Sequence, residues 1–247
     1  ASIVSRQEGI ISGLDVARET FHAIDDELEF KPLVGDSDSV KPGTAIATIE
    51  GSARAILTGE RVALNFLGRM SGIATLTADY VAEVNGTRAQ IIDTRKTTPG
   101  LRAFEKYAVK CGGGENHRVG LYDAILIKDN HIAAAGGLKH ALAAARQAAG
   151  HMIKVEIEVD TLAQLDDVLA HGGADAVLLD NMSPEDLTNA VKKINGRLVA
   201  EASGGVSLDT VAAIAKTGVD LISVGALTHS APVLDLGLDF VGSDLPT

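Results

Sequence analysis

The sequence predicts an α/β protein built around an incomplete, six- or seven-stranded β/α barrel. Three observations lead there. Short apolar runs of strand type recur along the second half and more of the chain: AQIID (89–93), DAILI (123–127), KVEIEV (154–159), DAVLLD (175–180), LVAEAS (198–203) and LISVG (221–225). Helix-like stretches fall between them at Gly137–Ala148, Leu162–Ala170, Pro184–Ile194 and Leu208–Thr217. Polar or small residues close successive runs: Lys128, Glu158, Asp180, Ser203 and Gly225, at spacings of 30, 22, 23 and 22 residues. Parallel strands covered by helices read as near-continuous apolar runs, as these do. A doubly wound open sheet also alternates β and α but concentrates its polar residues at one switch point. Polar residues delivered by consecutive strands favour a barrel, whose strand C-termini converge on one mouth. Six clear strands fall short of eight, hence an incomplete barrel.

The elements before this repeat are of another kind. Residues 13–27 form an amphipathic pattern with Leu14, Ala17, Phe21 and Ile24 on one face, predicting a helix. Turn signals at KPG and EGS flank two runs expected to be strands, Thr44–Ile49 and Ala53–Leu57. Glu60–Val84 reads as one long helix, with Gly68 and Gly72 marking a close helix contact or a kink. Within the repeat, Ser183 before Pro184, with Glu185 and Asp186 after it, marks a helix start.

Composition bounds the function. The 247 residues are 46% hydrophobic but only 3% aromatic, so the core must rest on Ala, Val, Ile and Leu. A formal net charge of −11 argues against general nucleic-acid binding, yet it permits a local basic cleft. Cys111 is the one cysteine, which leaves no disulfide within the chain and suits a reducing compartment. No run approaches a membrane span and the N-terminus has no apolar signal core, so a soluble, cytoplasmic protein without membrane or nucleic-acid partners is expected.

Against this acidity, cations gather where strands end. DTRKTTPGLR (93–102) carries Arg95, Lys96 and Arg102; CGGGENHRVGL carries His117 and Arg118; LIKDNH carries Lys128. Alone, each such side chain is ordinarily a solvated surface charge. Several in one mouth repel one another, and a polyanionic ligand offsets that repulsion. Arginine forks suit carboxylates and phosphates. Glu158 and Asp180 come from later strands and can hold Mg²⁺, directly or through water, or orient ribose hydroxyls. The bland alternatives are a solvent-facing strand carboxylate beside Glu156 and a turn cap in DNMSPED. Ser203-Gly204-Gly205, entering a helix, and Gly225-Ala226 at the next strand end are candidate phosphate cradles. Cys111 lacks a base-and-acid relay in sequence, and His22, His140, His151 and His171 read as surface positions.

Together, ERVALNFLGRMSGIAT (60–75), DTRKTTPGLR, KCGGGENHRVGLYDAILIKDNHI (110–132), EIEVD (156–160), LLDNM (178–182), EASGG (201–205) and ISVGALTHS (222–230) closely resemble the quinolinate phosphoribosyltransferases. The resemblance implies an open-faced α/β sandwich domain from residues 1–59, with the tail 231–247 packing on it, and a catalytic barrel over 60–230. It also implies that the chain starts inside the family's N-terminal domain, which normally carries a further helical segment. Homodimers are implied, with Arg61 reaching the partner's site. Arg95, His117 and Arg118 match the quinolinate-binding set, with Lys96 between the substrates. Lys128, Glu158 and Asp180 match residues contacting phosphoribosyl pyrophosphate and its Mg²⁺. Ser203, Gly204, Gly205, Gly225 and Ala226 match the 5′-phosphate cradle.

The implied reaction is phosphoribosyl transfer to quinolinate with decarboxylation, in NAD biosynthesis. Competing readings are a related transferase acting on another pyridine carboxylate, a barrel lyase using Lys128 as a Schiff base, and a non-catalytic binding protein on the same fold. The lyase reading conflicts with the acids around Lys128, which favour its charged form.

Overall fold

The computed structural model describes residues 1–240. In chain order its elements are β1 (Ser2–Ser5), β2 (Gly9–Ile10), α1 (Leu14–Ile24), β3 (Glu29–Pro32), β4 (Ser39–Val40), β5 (Ala45–Glu50) and α2 (Ala53–Glu83). The alternation comes next: β6 (Gln90–Ile92), α3 (Arg102–Cys111), β7 (Ala124–Ile127), α4 (Asp129–Ala134), α5 (Leu138–Ala148), β8 (Lys154–Val159), α6 (Leu162–His171), β9 (Ala176–Asp180) and α7 (Pro184–Ile194). The chain then forms β10 (Val199–Ser203), α8 (Leu208–Ala215), β11 (Leu221–Ser223), α9 (Ala226–His229) and β12 (Leu236–Asp239). Two compact units result. One gathers residues 1–79, 97–114 and 226 onward; the other gathers 80–96 and 115–225.

The first unit is built on an antiparallel sheet ordered β12-β1-β5-β3. Ile3 sits between Leu238 and Ala47 in register. The sheet packs with the apolar stripe of α1, and Leu14, Ala17 and Phe21 bury with Ile3, Ile46 and Ile49 in one core. That is the open-faced sandwich. β12 pairs with β1, so the described part of the expected tail, through Phe240, includes a strand of this sheet; residues 241–247 lie outside the described residues.

Two expectations are corrected by the structure. Ala53–Leu57 is not a strand but the first turns of α2. Ser52 starts it, its hydroxyl accepting from Ala55 N at 3.4 Å and its carbonyl from Ile56 N at 3.0 Å. A short apolar run has no periodicity of its own, so the segment it leads into decides its state. The boundary expected between residues 59 and 60 falls within α2, and the compact units divide at Asp79/Tyr80 instead.

The glycines of α2 mark close contact. A Cβ on Gly72 would overlap Pro232 O, and one on Gly68 would lie 2.9 Å from Leu234 O. Leu234 N donates to Gly68 O at 3.0 Å.

The second unit holds six parallel strands in the order β6-β11-β10-β9-β8-β7. The edge strands β6 and β7 do not pair, so the barrel is open. The segment 115–124 spans their gap. Glu115 bridges Ile92 beside β6, and the Arg118 guanidinium donates to Ala124 O, at the start of β7, at 3.0 Å. Ser183 caps α7 as expected, accepting from Asp186 N at 3.1 Å.

Candidate active site

Parallel strands deliver their C-terminal residues to one end of the sheet, and side chains of one pleat face alternate inward. In this unit Asp180 lies opposite Ser203 in register, and Glu158 on β8 lies opposite Leu178, two residues before Asp180. These three, with Arg95, Lys96, His117, Arg118 and Lys128, line one cavity of about 440 Å³. Leu126 and Leu178 supply its apolar wall.

The cations are held individually. Lys128 caps α4, its backbone N–H donating to His131 Nδ1 at 2.9 Å, while its Nζ lies 3.0 Å from Glu158 Oε2. Arg118 is aimed by Ala124 O, and the turn behind it is held by Asp123, whose carboxylate accepts from Val119 N and Gly120 N. Burial, then the nearby charge of Arg95, pull the Arg118 guanidinium below its ordinary pKa. Two guanidiniums close enough to repel in one partly dry cavity suit an anion with two acceptor groups.

Across the cavity, carboxylate oxygens of Glu158, Asp160 and Asp180 lie within 4.8 Å of one another. An all-oxygen set of this kind fits a hard divalent cation such as Mg²⁺ that keeps part of its water shell. Asp160 was missed in sequence, although it closes the EIEVD motif.

The glycine turn has a specific cause. Gly204 and Gly205 have φ of +91° and +62°. A Cβ on Gly204 would overlap Asn181 Oδ1, and Asn181 N donates to Ser203 O at 2.9 Å. EASGG and LLDNM are therefore one packed corner at the ends of β9 and β10. Gly225 comes just after β11. Ala226 belongs to the other compact unit, where it opens α9. Arg61 also lies in that unit, on α2, exposed and 3.6 Å from Glu60. Arg102 begins α3, and its Nε donates to Thr97 Oγ1 at 3.0 Å.

Below the mouth His117 meets two carboxyl groups, Glu156 and Glu201, that sequence reasoning did not bring to it. His117 Nε2 is 3.1 Å from Glu156 Oε2 and 3.5 Å from Glu201 Oε2. Its Nδ1 accepts from Arg118 N at 2.7 Å, so the ring hydrogen resides on Nε2, facing the carboxyls. Burial, then the Glu156 charge, hold the Glu201 carboxyl well above the usual range. Glu156 alternates with Glu158 in KVEIEV, but the face they share is the barrel interior and not solvent.

An open β/α barrel whose mouth sets clustered cations against a carboxylate trio defines an anion-handling barrel enzyme. The chain matches the family models for quinolinate phosphoribosyl transferase, N-terminal domain over residues 1–71 and C-terminal domain over 73–239. A nicotinate-nucleotide pyrophosphorylase [carboxylating] of Mycobacterium leprae is 47% identical, over 96% of this chain and 85% of that protein. A probable one of Bacillus subtilis is 46% identical, over 97% and 82%. The solved structure of NadC from Streptococcus pyogenes superposes with a TM-score of 0.93 at 44% identity, covering 97% of this chain and 84% of the other. The protein belongs to the quinolinate phosphoribosyltransferase family.

Proposed function

We propose that the protein transfers the phosphoribosyl group of phosphoribosyl pyrophosphate to quinolinate and decarboxylates the product, giving nicotinate mononucleotide, pyrophosphate and CO₂ in NAD biosynthesis. The observation that carries this is the single cavity in which Arg95, Lys96, Arg118 and Lys128 face Glu158 and Asp180, in a chain of this family.

Arg95 and Arg118 bind the two carboxylates of quinolinate, each as a planar fork. Lys96 lies where the two anionic substrates meet. Ser203, Gly204 and Gly205, with Gly225, cradle the 5′-phosphate through backbone N–H groups. Lys128 and its partner Glu158 hold the pyrophosphoryl end and the ribose. Glu158 and Asp180, with Asp160, hold Mg²⁺ directly or through water; bound there, the ion neutralises charge on pyrophosphate.

The ring nitrogen of quinolinate forms a bond to C1′ as the C1′–oxygen bond to pyrophosphate breaks. Positive charge developing on the ribose is stabilised by the nearby carboxylates, as in glycoside cleavage. The bond to the adjacent carboxylate then breaks, its electron pair staying on a ring carbon next to the cationic nitrogen, and CO₂ leaves. A proton replaces it. No covalent enzyme intermediate is needed. The Schiff-base alternative is disfavoured because Lys128 Nζ is engaged by Glu158 Oε2 at 3.0 Å.

The protein is proposed to act as a cytoplasmic homodimer, with the exposed Arg61 entering the partner's site. No helix among the described residues is long and apolar enough to cross a membrane. The test is turnover by the purified protein with quinolinate, phosphoribosyl pyrophosphate and Mg²⁺, following CO₂ and pyrophosphate, with each component omitted in turn. Arg118→Ala should lose most turnover. Near-normal turnover by that variant, or equal activity on a pyridine monocarboxylate, would defeat the assignment.

A further inference from the structure

The floor of the active-site cavity is polar where a barrel core is ordinarily apolar. Glu201 is 1% exposed, and its Oε1 finds no hydrogen-bond partner among the described residues. Keeping a carboxyl there costs desolvation that a leucine of similar size avoids. Its Oε2 lies 3.5 Å from His117 Nε2, and Glu156 and Ser223 are the carboxyl's other polar neighbours.

His117 is held on three sides. Its backbone N–H donates to Asp93 Oδ1 at 2.8 Å, its Nδ1 takes the N–H of Arg118, and its Nε2 faces Glu156 and Glu201. Both ring nitrogens are thus engaged within the protein. The ring orientation is coupled to the backbone of Arg118, whose guanidinium lines the cavity. Glu201 and His117 also line a second cavity, of about 450 Å³, at the opposite ends of the strands. They therefore form a partition between the mouth and the lower barrel. With space on both sides, packing alone does not fix the imidazole; the two carboxyl groups do.

We propose that Glu201 is a positioning residue for dicarboxylate recognition. With Glu156 it locks the His117 imidazole in its Nε2–H form, and that ring sets the Arg118 turn against the substrate. Glu201 acts through His117 and touches no reacting atom. The inference rests on the reading of the mouth as a quinolinate site.

The test compares wild type with Glu201→Leu, which removes the carboxyl and keeps the volume, and Glu201→Gln, which keeps an acceptor. Steady-state KM for quinolinate and for phosphoribosyl pyrophosphate are measured separately. The His117 ring nitrogens are followed by ¹⁵N NMR in the substrate-free protein, with His117→Asn to assign the signal. In Glu201→Leu the quinolinate KM should rise about tenfold, the equivalent of one buried hydrogen bond. The KM for phosphoribosyl pyrophosphate should hold, and the His117 signal should shift. Glu201→Gln should restore both. Equal rises in both KM values, or a Gln variant as impaired as Leu, would overturn the proposal. Should the wild type turn over no quinolinate, the functional reading fails on its own; an unchanged His117 signal in the Leu variant would then still overturn the positioning role. If Glu201→Leu does not fold, Glu201→Ala takes its place with the same readouts.

Discussion

Lys128 Nζ lies 3.0 Å from Glu158 Oε2, joining the ends of the neighbouring strands β7 and β8. The lysine side chain is 50% exposed and the glutamate 13%. An ion pair this wet contributes little to stability, so its value lies in placing charge. Lys128→Met should lower kcat by about 10²–10³-fold, the usual scale for removing one preorganised electrostatic group. Its melting temperature should match wild type by circular dichroism. Loss of fold along with activity would contradict this division.

The Ser203-Gly204-Gly205 corner supports a graded pair of variants. Gly205 has open space around it, whereas Gly204 abuts Asn181. Gly205→Ala should cost about 1–2 kcal/mol in urea unfolding, the expense of a left-handed non-glycine residue. Gly204→Ala should cost more and raise the KM for phosphoribosyl pyrophosphate, leaving that for quinolinate nearly unchanged.

Glu105 is 1% exposed and accepts from Arg69 Nε at 3.0 Å and from Thr98 N at 3.0 Å. Arg69 also donates to Thr228 O at 2.8 Å, so one part-buried pair ties α2, α3, the start of the 97–101 turn and α9 together. Glu105→Ala leaves the guanidinium without its counter-charge and should destabilise the protein by about 3 kcal/mol in urea. Glu105→Gln should recover part of that.

Asp175 provides a pH-dependent contribution. Burial alone would raise its pKa, but Val155 N at 2.8 Å, Arg146 at 2.7 Å and Lys154 at 3.4 Å hold it below the usual carboxylate range. A carboxylate depressed in the folded state stabilises above its unfolded pKa, about 3.9, and that stability is lost as pH falls through the folded value. Asp175→Asn should therefore be less stable than wild type at neutral pH, and the difference should shrink below about pH 4. A constant difference down to pH 2, read from urea midpoints, would assign the effect to packing.

The sequence by itself determined the repeat and the chemistry of its strand ends. βα units are local: each apolar run, turn and helix start is written within some two dozen residues, so Lys128, Glu158, Asp180 and Ser203 could be placed at one mouth from spacing alone. Of the cations of DTRKTTPGLR, Arg95 and Lys96 line the cavity, while Arg102 sits at a helix start bound to Thr97. Tertiary structure decided the rest. Glu156 and Glu201 sit 45 residues apart, on strands that do not touch, and meet His117 only because the sheet curls around its own inner face. Gly72 is a glycine because of Pro232, some 160 residues away. Where the physics is nearest-neighbour, periodicity carries it; where a desolvated interior or a backbone-to-backbone approach sets the residue, only the folded chain brings the two sides together.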